Sequence, residues 1–129
     1  MRSYNPDQTP EPREWLALGE EERIQLAEKY HRAERIKLPS VRAHAAFHAI
    51  VENQIAEGMQ AVERAMERLA KQGLSRHDCI HAVSWVLAQH LYEMATTKAQ
   101  DNPEATNARY AAAVERIDAK TWREQAGAE

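Results

Sequence analysis

The sequence predicts an all-α fold, a bundle-like domain of four to five helices, and three observations lead to this prediction. Apolar residues recur at helical spacing in several long stretches. Helix-starting residues and prolines stand before these stretches, and glycines end two of them. Residues that favour strands never alternate with polar ones over a useful length, and no hairpin signal is present. We therefore expect helices joined by short loops around one core.

An irregular arm and two helices are expected in the first half of the chain. Three of the five prolines lie near the N-terminus, so residues 1–13 should be irregular and residues 14–129 should form a single helical domain. Acidic residues in the first turn, where the helix dipole favours negative charge, indicate a helix over 20–35. Ser40 is a suitable N-cap for a second helix over 41–57.

Three further helices are expected in the second half. The third, over 59–72, is amphipathic. The fourth, over 76–99, follows Ser75, another suitable N-cap, and is apolar around most of its girth. We therefore expect it to be central, with Tyr92 in the core. An Asn-Pro dipeptide then predicts the start of a last helix over 104–124.

Composition and charge exclude several classes of function. The formal net charge is −3, and charges of both signs are interspersed, so we expect no nucleic-acid partner. No stretch is long and apolar enough to predict a membrane span, and none resembles a signal peptide. The single cysteine, Cys79, rules out an intrachain disulfide and fits a reducing compartment. These features predict a cytoplasmic protein.

Histidine is the unusual residue type, and four of the six histidines form two pairs with the same spacing. His44 and His48 are four residues apart on the second helix, and Glu52 follows after four more. Residues at this spacing share one helix face, so two imidazoles can bind one metal ion. Phe47 and Val51 lie on the same side, so this face should point inward. A buried imidazole or carboxylate needs a partner, and a metal ion would supply one.

The fourth helix repeats the arrangement with His77 and His81. His44 lies four residues past its N-cap, Ser40, and His77 lies two past Ser75. If the third helix returns the chain, the second and fourth run parallel and the two pairs differ in height by only about 3 Å. The sequence thus predicts a histidine-rich site between two parallel helices for one divalent transition-metal ion, iron or zinc. Its predicted ligands are His44, His48, Glu52, His77 and His81.

Other polar residues receive more ordinary interpretations. His31 lies on the inner stripe of the first helix, where core packing is commoner than a role as a further ligand. His90 lies away from the paired histidines and is expected to be structural or exposed. Asp78 is expected to stabilise the start of the fourth helix rather than to bind a metal, because it follows Ser75 by three positions. Asn53 is expected on the surface.

Residues 44–54 (HAAFHAIVENQ) and 76–83 (RHDCIHAV) carry a resemblance to a known family. The segment over about 40–92 resembles small bacterial proteins catalogued as domain of unknown function 1841. The resemblance implies a helical fold and no assigned reaction. Residues beyond about 95 carry no resemblance.

Three functions remain open on the sequence alone. The first is a metal-binding helical protein, which as an enzyme would take a small-molecule ligand at an open metal position, with the metal as Lewis acid or redox centre. The second is a metal-dependent phosphohydrolase of the HD type, suggested by the dipeptide His77-Asp78. The third is a non-enzymatic interaction module, a homodimer through the apolar fourth helix or the alanine-rich last one. The sequence does not choose among them.

Overall fold

The computed structural model describes residues 1–36, 38–96 and 102–126, and within these ranges the secondary structure is entirely helical. The all-α prediction is therefore confirmed. The chain divides into two compact units, Met1–Met59 and Gln60–Glu129, which are described in turn. The single domain expected over 14–129 stays a prediction. The helices are α1 (Pro12–Ala17), α2 (Glu20–Ala33), α3 (Val41–Ala56), α4 (Gln60–Lys71), α5 (Arg76–Thr96), α6 (Pro103–Arg116) and α7 (Ala119–Ala126).

The N-terminal arm is shorter than expected, because α1 begins within it. Proline at the first position of a helix loses no hydrogen bond, and Pro12 takes that position in α1. The Glu11 carboxylate accepts from the Glu14 amide at 2.7 Å and caps this end. The predicted end of the fourth helix, Ala99, lies outside the described residues.

The first unit packs α2 and α1 against α3. Its core combines two large aromatic rings with small residues that let the helices approach closely. The buried members of this core are Tyr4, Trp15, Ala27, Ala45 and Ala49. The irregular N-terminal arm contributes Tyr4 to this core. A turn follows at Asn5, where the Asp7 amide donates to Asn5 Oδ1 at 2.9 Å.

One arginine of α2 connects all three helices of the first unit. The Arg23 guanidinium donates to the carbonyls of Trp15, Leu16 and Leu18, at 3.0, 2.9 and 2.7 Å, where α1 ends. It also donates to Asn53 Oδ1 of α3 at 3.1 Å, an atom that accepts from Trp15 Nε1 at 2.8 Å. Asn53 is expected on the surface and is only partly buried, but its amide oxygen accepts hydrogen bonds from both α1 and α2.

The second unit packs α4 against α5 and α6, with an apolar core of aliphatic side chains. The fully buried members of this core include Val62, Leu69, Ile80, Val83 and Val114. The predicted helix over 104–124 is two helices, because Ile117 takes an extended conformation and Asp118 begins α7 by accepting from the Thr121 amide at 2.7 Å. Arg68 of α4 donates to the carbonyls of Val114 and Ile117 at this break.

Tyr92 is 71% exposed, so its expected place in the core is wrong. Its neighbours Leu91 and Met94 are also exposed, at 44% and 48%. The helix α5 has 21 residues, whereas its partners α4 and α6 have 12 and 14, so neither is long enough to cover it from end to end. Within the described ranges, no helix has the length and apolar character needed to cross a membrane.

Candidate metal centre

The helix α3 presents His44, His48 and Glu52 at four-residue spacing, as predicted. Ser40 starts this helix, because its hydroxyl oxygen accepts from the Ala43 amide at 3.1 Å. His48 and Glu52 are each only 1% exposed, and His44 is partly buried. The predicted inward direction of this face is therefore confirmed.

His31 of α2 is fully buried beside this face. Its ring centroid lies 4.6 Å from those of both His44 and His48. The Nδ1 atom lies 2.7 Å from the Ala27 carbonyl oxygen of the preceding turn. A carbonyl only accepts, so Nδ1 donates and the lone pair of this imidazole is on Nε2. The backbone of α2 thus selects the nitrogen that His31 can offer to a metal.

The tautomer of His48 is selected by Tyr4. The Tyr4 hydroxyl donates to Glu52 Oε2 at 2.5 Å, and its oxygen lies 3.1 Å from His48 Nδ1. Since the hydroxyl proton is engaged with the carboxylate, the oxygen accepts from His48 Nδ1–H. The lone pair of His48 is then on Nε2. Ligand histidines in metal proteins are oriented by hydrogen bonds of this kind.

The Nε2 atoms of His44 and His48 lie 3.1 Å apart. Two nitrogen ligands of one zinc ion lie roughly 3.3 Å apart when bonds of about 2.0–2.1 Å meet at the tetrahedral angle. In the hydrogen bond at this distance, His44 Nε2–H donates to the Nε2 lone pair of His48. The separation is also close to that in a shared metal site, where the metal ion would replace this proton. One ligand nitrogen each from His31, His44 and His48 lies within 4.8 Å of the others. Three neutral imidazoles form a donor set that suits transition metals.

In the second unit, α5 presents His77 and His81 with ring centroids 4.3 Å apart. The predicted N-cap is confirmed, because the Asp78 amide donates to Ser75 Oγ at 3.1 Å. The Asp78 carboxylate lies 3.5 Å from His81 Nδ1. A carboxylate in this position favours the proton on Nδ1 and leaves Nε2 as the metal-binding atom.

The histidines that could hold a metal ion are His31, His44 and His48 in the first unit and His77 and His81 in the second. His31 is fully buried, in keeping with its expected role in core packing, and it also belongs to this set, as the alternative role of a further ligand would require. In the sequence, the only indication of this is the position of His31 on the inner stripe of α2. Glu52 contacts Tyr4, and its predicted role as a ligand stays a prediction.

Three polar residues outside this set have other surroundings. His90 packs against Tyr110 with ring centroids 5.4 Å apart, in keeping with its expected structural role. Arg42 pairs with Glu21 at 2.6 Å, and this contact lowers the pKa of the glutamate. Burial raises the pKa of the Cys79 thiol to about 11, which makes it a poor nucleophile.

No family model, curated protein or solved structure matches this chain. The resemblance to domain of unknown function 1841 therefore stays a prediction. The interpretation of the site depends on its own chemistry, which is a set of buried and partly buried imidazoles.

Proposed function

We propose that this chain is a metal-binding helical protein in which the histidines bind one divalent transition-metal ion. The single observation that carries the proposal is the approach of the His44 and His48 Nε2 atoms to 3.1 Å, beside a buried His31. The rings of these three histidines have centroids 4.6–4.8 Å apart, so one transition-metal ion could be shared by a nitrogen from each.

The proposal includes His77 and His81 as ligands of the same ion. Its support is the matched four-residue spacing on α3 and α5 and the similar distance of each pair from its N-cap. The contact between Asp78 and His81 orients an imidazole as metal ligands require. Glu52 is the additional oxygen ligand in this proposal.

Imidazole ligands suit zinc, iron, copper and nickel, and of these we propose iron or zinc. Tetrahedral zinc would use four of the five imidazoles, whereas iron, which accepts more ligands, would also take the Glu52 carboxylate. The metal would supply Lewis-acid or redox chemistry, and the surrounding protein would orient the ligands and exclude water. The observed contacts of Asp78 give no specific support to the phosphohydrolase alternative.

The test is the metal content of the untagged protein, measured by inductively coupled plasma mass spectrometry. We expect about one equivalent of iron or zinc in the parent, and its loss in the variants His48→Ala and His81→Ala. The control is His90→Ala, since this histidine lies outside the candidate set, and it should retain the metal of the parent.

Two results would contradict the proposal. A parent that stays metal-free after incubation with zinc or with iron(II) under reducing conditions would exclude a metal site. A His81→Ala variant with full occupancy and unchanged affinity would limit the site to the first unit.

A non-enzymatic interaction module is the second candidate, and the exposure of Leu91, Tyr92 and Met94 on α5 favours it. Adjacent exposed apolar side chains often mark a contact surface. This role is compatible with a bound metal. Light scattering on the purified protein tests whether this surface forms a homodimer. A monomer at high concentration would exclude a stable dimer.

A further inference from the structure

We propose that Tyr4 is a positioning residue of the metal centre, and that docking of the N-terminal arm and metal binding stabilise each other through it. The inference rests on the proposed function, since it takes His48 as a metal ligand. It adds Tyr4, which lies outside the helices that carry the histidines, to the metal centre. It also gives the N-terminal arm a role in metal binding.

The hydrogen bonds define what Tyr4 does. His48 Nδ1 donates to the Tyr4 hydroxyl at 3.1 Å, and the hydroxyl donates to Glu52 Oε2 at 2.5 Å. This direction holds the His48 proton on Nδ1 and the lone pair on Nε2, the atom that approaches His44. Without the hydroxyl, the imidazole would be free to exchange its tautomer, and the Glu52 carboxylate would lose a buried donor.

Packing holds Tyr4 in this position. Its side chain is 4% exposed, its ring lies 5.5 Å from that of Trp15, and the ring of Tyr30 meets it edge-on at 6.4 Å. The turn that follows is ordered by bonds of the Asp7 amide to Asn5 Oδ1 and of the Gln8 amide to the Asn5 carbonyl, each at 2.9 Å. These contacts hold the Tyr4 hydroxyl next to His48 and Glu52.

The coupling follows from the chemistry of imidazole. A metal ion on Nε2 withdraws electron density from the ring, so the Nδ1–H group becomes a stronger donor to Tyr4. The bond that holds the arm is then stronger in the metal-bound protein. By thermodynamic reciprocity, a docked arm must strengthen metal binding by the same factor.

The first test is Tyr4→Phe, which removes the hydroxyl oxygen and keeps the ring. We expect zinc affinity, measured by competition with a chromophoric chelator, to fall by about 10- to 100-fold, the usual effect of removing such a hydrogen bond. Long-range 1H–15N correlation spectra should show the Nδ1–H tautomer of His48 in the parent and its loss in the variant. A purely structural role would leave the tautomer unchanged.

The matched control is Tyr30→Phe, which removes a hydroxyl from a neighbouring ring and leaves both Tyr4 bonds in place. Its zinc affinity should stay within about twofold of the parent. Equal losses in the two variants would overturn the proposal, because they would indicate a general effect of the aromatic cluster.

The second test needs no variant. Hydrogen exchange at the amides of Asp7 and Gln8 should slow when zinc is added to the full-length parent. Zinc binding with unchanged exchange at these amides, or with unchanged affinity in Tyr4→Phe, would overturn the inference and leave the proposed function standing. Failure of the parent to bind zinc or iron would instead refute the proposed function itself.

Discussion

A histidine offers two ring nitrogens, and the partner of Nδ1 decides which nitrogen a metal can use. For His31 this partner is the Ala27 carbonyl, one turn earlier on the same helix. For His81 it is the carboxylate of Asp78, three residues earlier. For His48 it is Tyr4, 44 residues away in sequence. The first two partners are local and follow from helical spacing, whereas the third depends on how the arm folds back.

At the same scale, the Asp118 carboxylate predicts a pH dependence of stability. Hydrogen bonds from Thr121, first from its backbone amide, hold the pKa of Asp118 below its ordinary value. A lowered folded-state pKa means that the ionised group adds stability above the unfolded value of about 3.9, and that this contribution disappears as the pH falls through the folded value.

We therefore expect Asp118→Ala to lower the urea midpoint at pH 7, and the difference from the parent to shrink as the pH approaches 3. Asp118→Asn is the matched control, because asparagine caps a helix as well as aspartate does but carries no charge. The difference between the parent and Asp118→Asn isolates the charge. A difference that stays constant from pH 7 to 3 would contradict the assignment.

At the scale of the elements, α1 has six residues and is too short to be stable by itself. The last carbonyls of a helix have few partners within it, and Arg23 of α2 donates to three carbonyls at the end of α1. The same guanidinium contacts Asn53 of α3. One side chain therefore holds the short helix against the two longer ones.

The predicted consequence is a large loss of stability in Arg23→Met, which keeps much of the side-chain volume and removes all donors. We expect the free energy of unfolding to fall by about 2–3 kcal/mol, because partly buried hydrogen bonds to a charged group are lost together. Urea denaturation followed by circular dichroism measures it.

The control for this substitution is Arg32→Met on the same helix. The Arg32 side chain is exposed and pairs with Glu28 at four-residue spacing, and pairs at this spacing on a helix surface contribute about 0.3–0.5 kcal/mol. If the two variants lose the same stability, Arg23 does not act as a structural clamp.

The break between α6 and α7 shows how elements depend on tertiary partners. The composition over 104–124 favours a continuous helix, yet the chain is extended at Ile117. Arg68 of α4 binds the carbonyls on one side of the break, and Asp118 caps the helix on the other. The lost helical hydrogen bonds are replaced from outside the segment.

At the scale of the whole molecule, the proposed function would give the metal ion ligands from both compact units. A ligand that binds only the folded state stabilises it by about 2.7 kcal/mol when its free concentration is 100-fold above its dissociation constant. If one ion is shared, this stabilisation must reach both units.

We therefore expect saturating zinc to slow hydrogen exchange in the core amides of α3 and of α5, with the same zinc midpoint for both. The His90→Ala protein should behave like the parent, and His44→Ala should lose the effect in both helices. Protection confined to α3 would show that the first unit binds the metal without the second.

The sequence by itself determined the helical class, the caps at Ser40 and Ser75, the helix start at Asn102-Pro103, and the inward face of α3. These features are local, since they depend on side chains three or four residues apart. Only the tertiary structure decided that His31 joins the histidines of α3, that Tyr4 bonds His48 and Glu52, and where the last helix breaks. The physical reason is that these contacts join residues that are far apart in the chain. Helical periodicity indicates which face of a helix is buried, but not which other residues pack against that face.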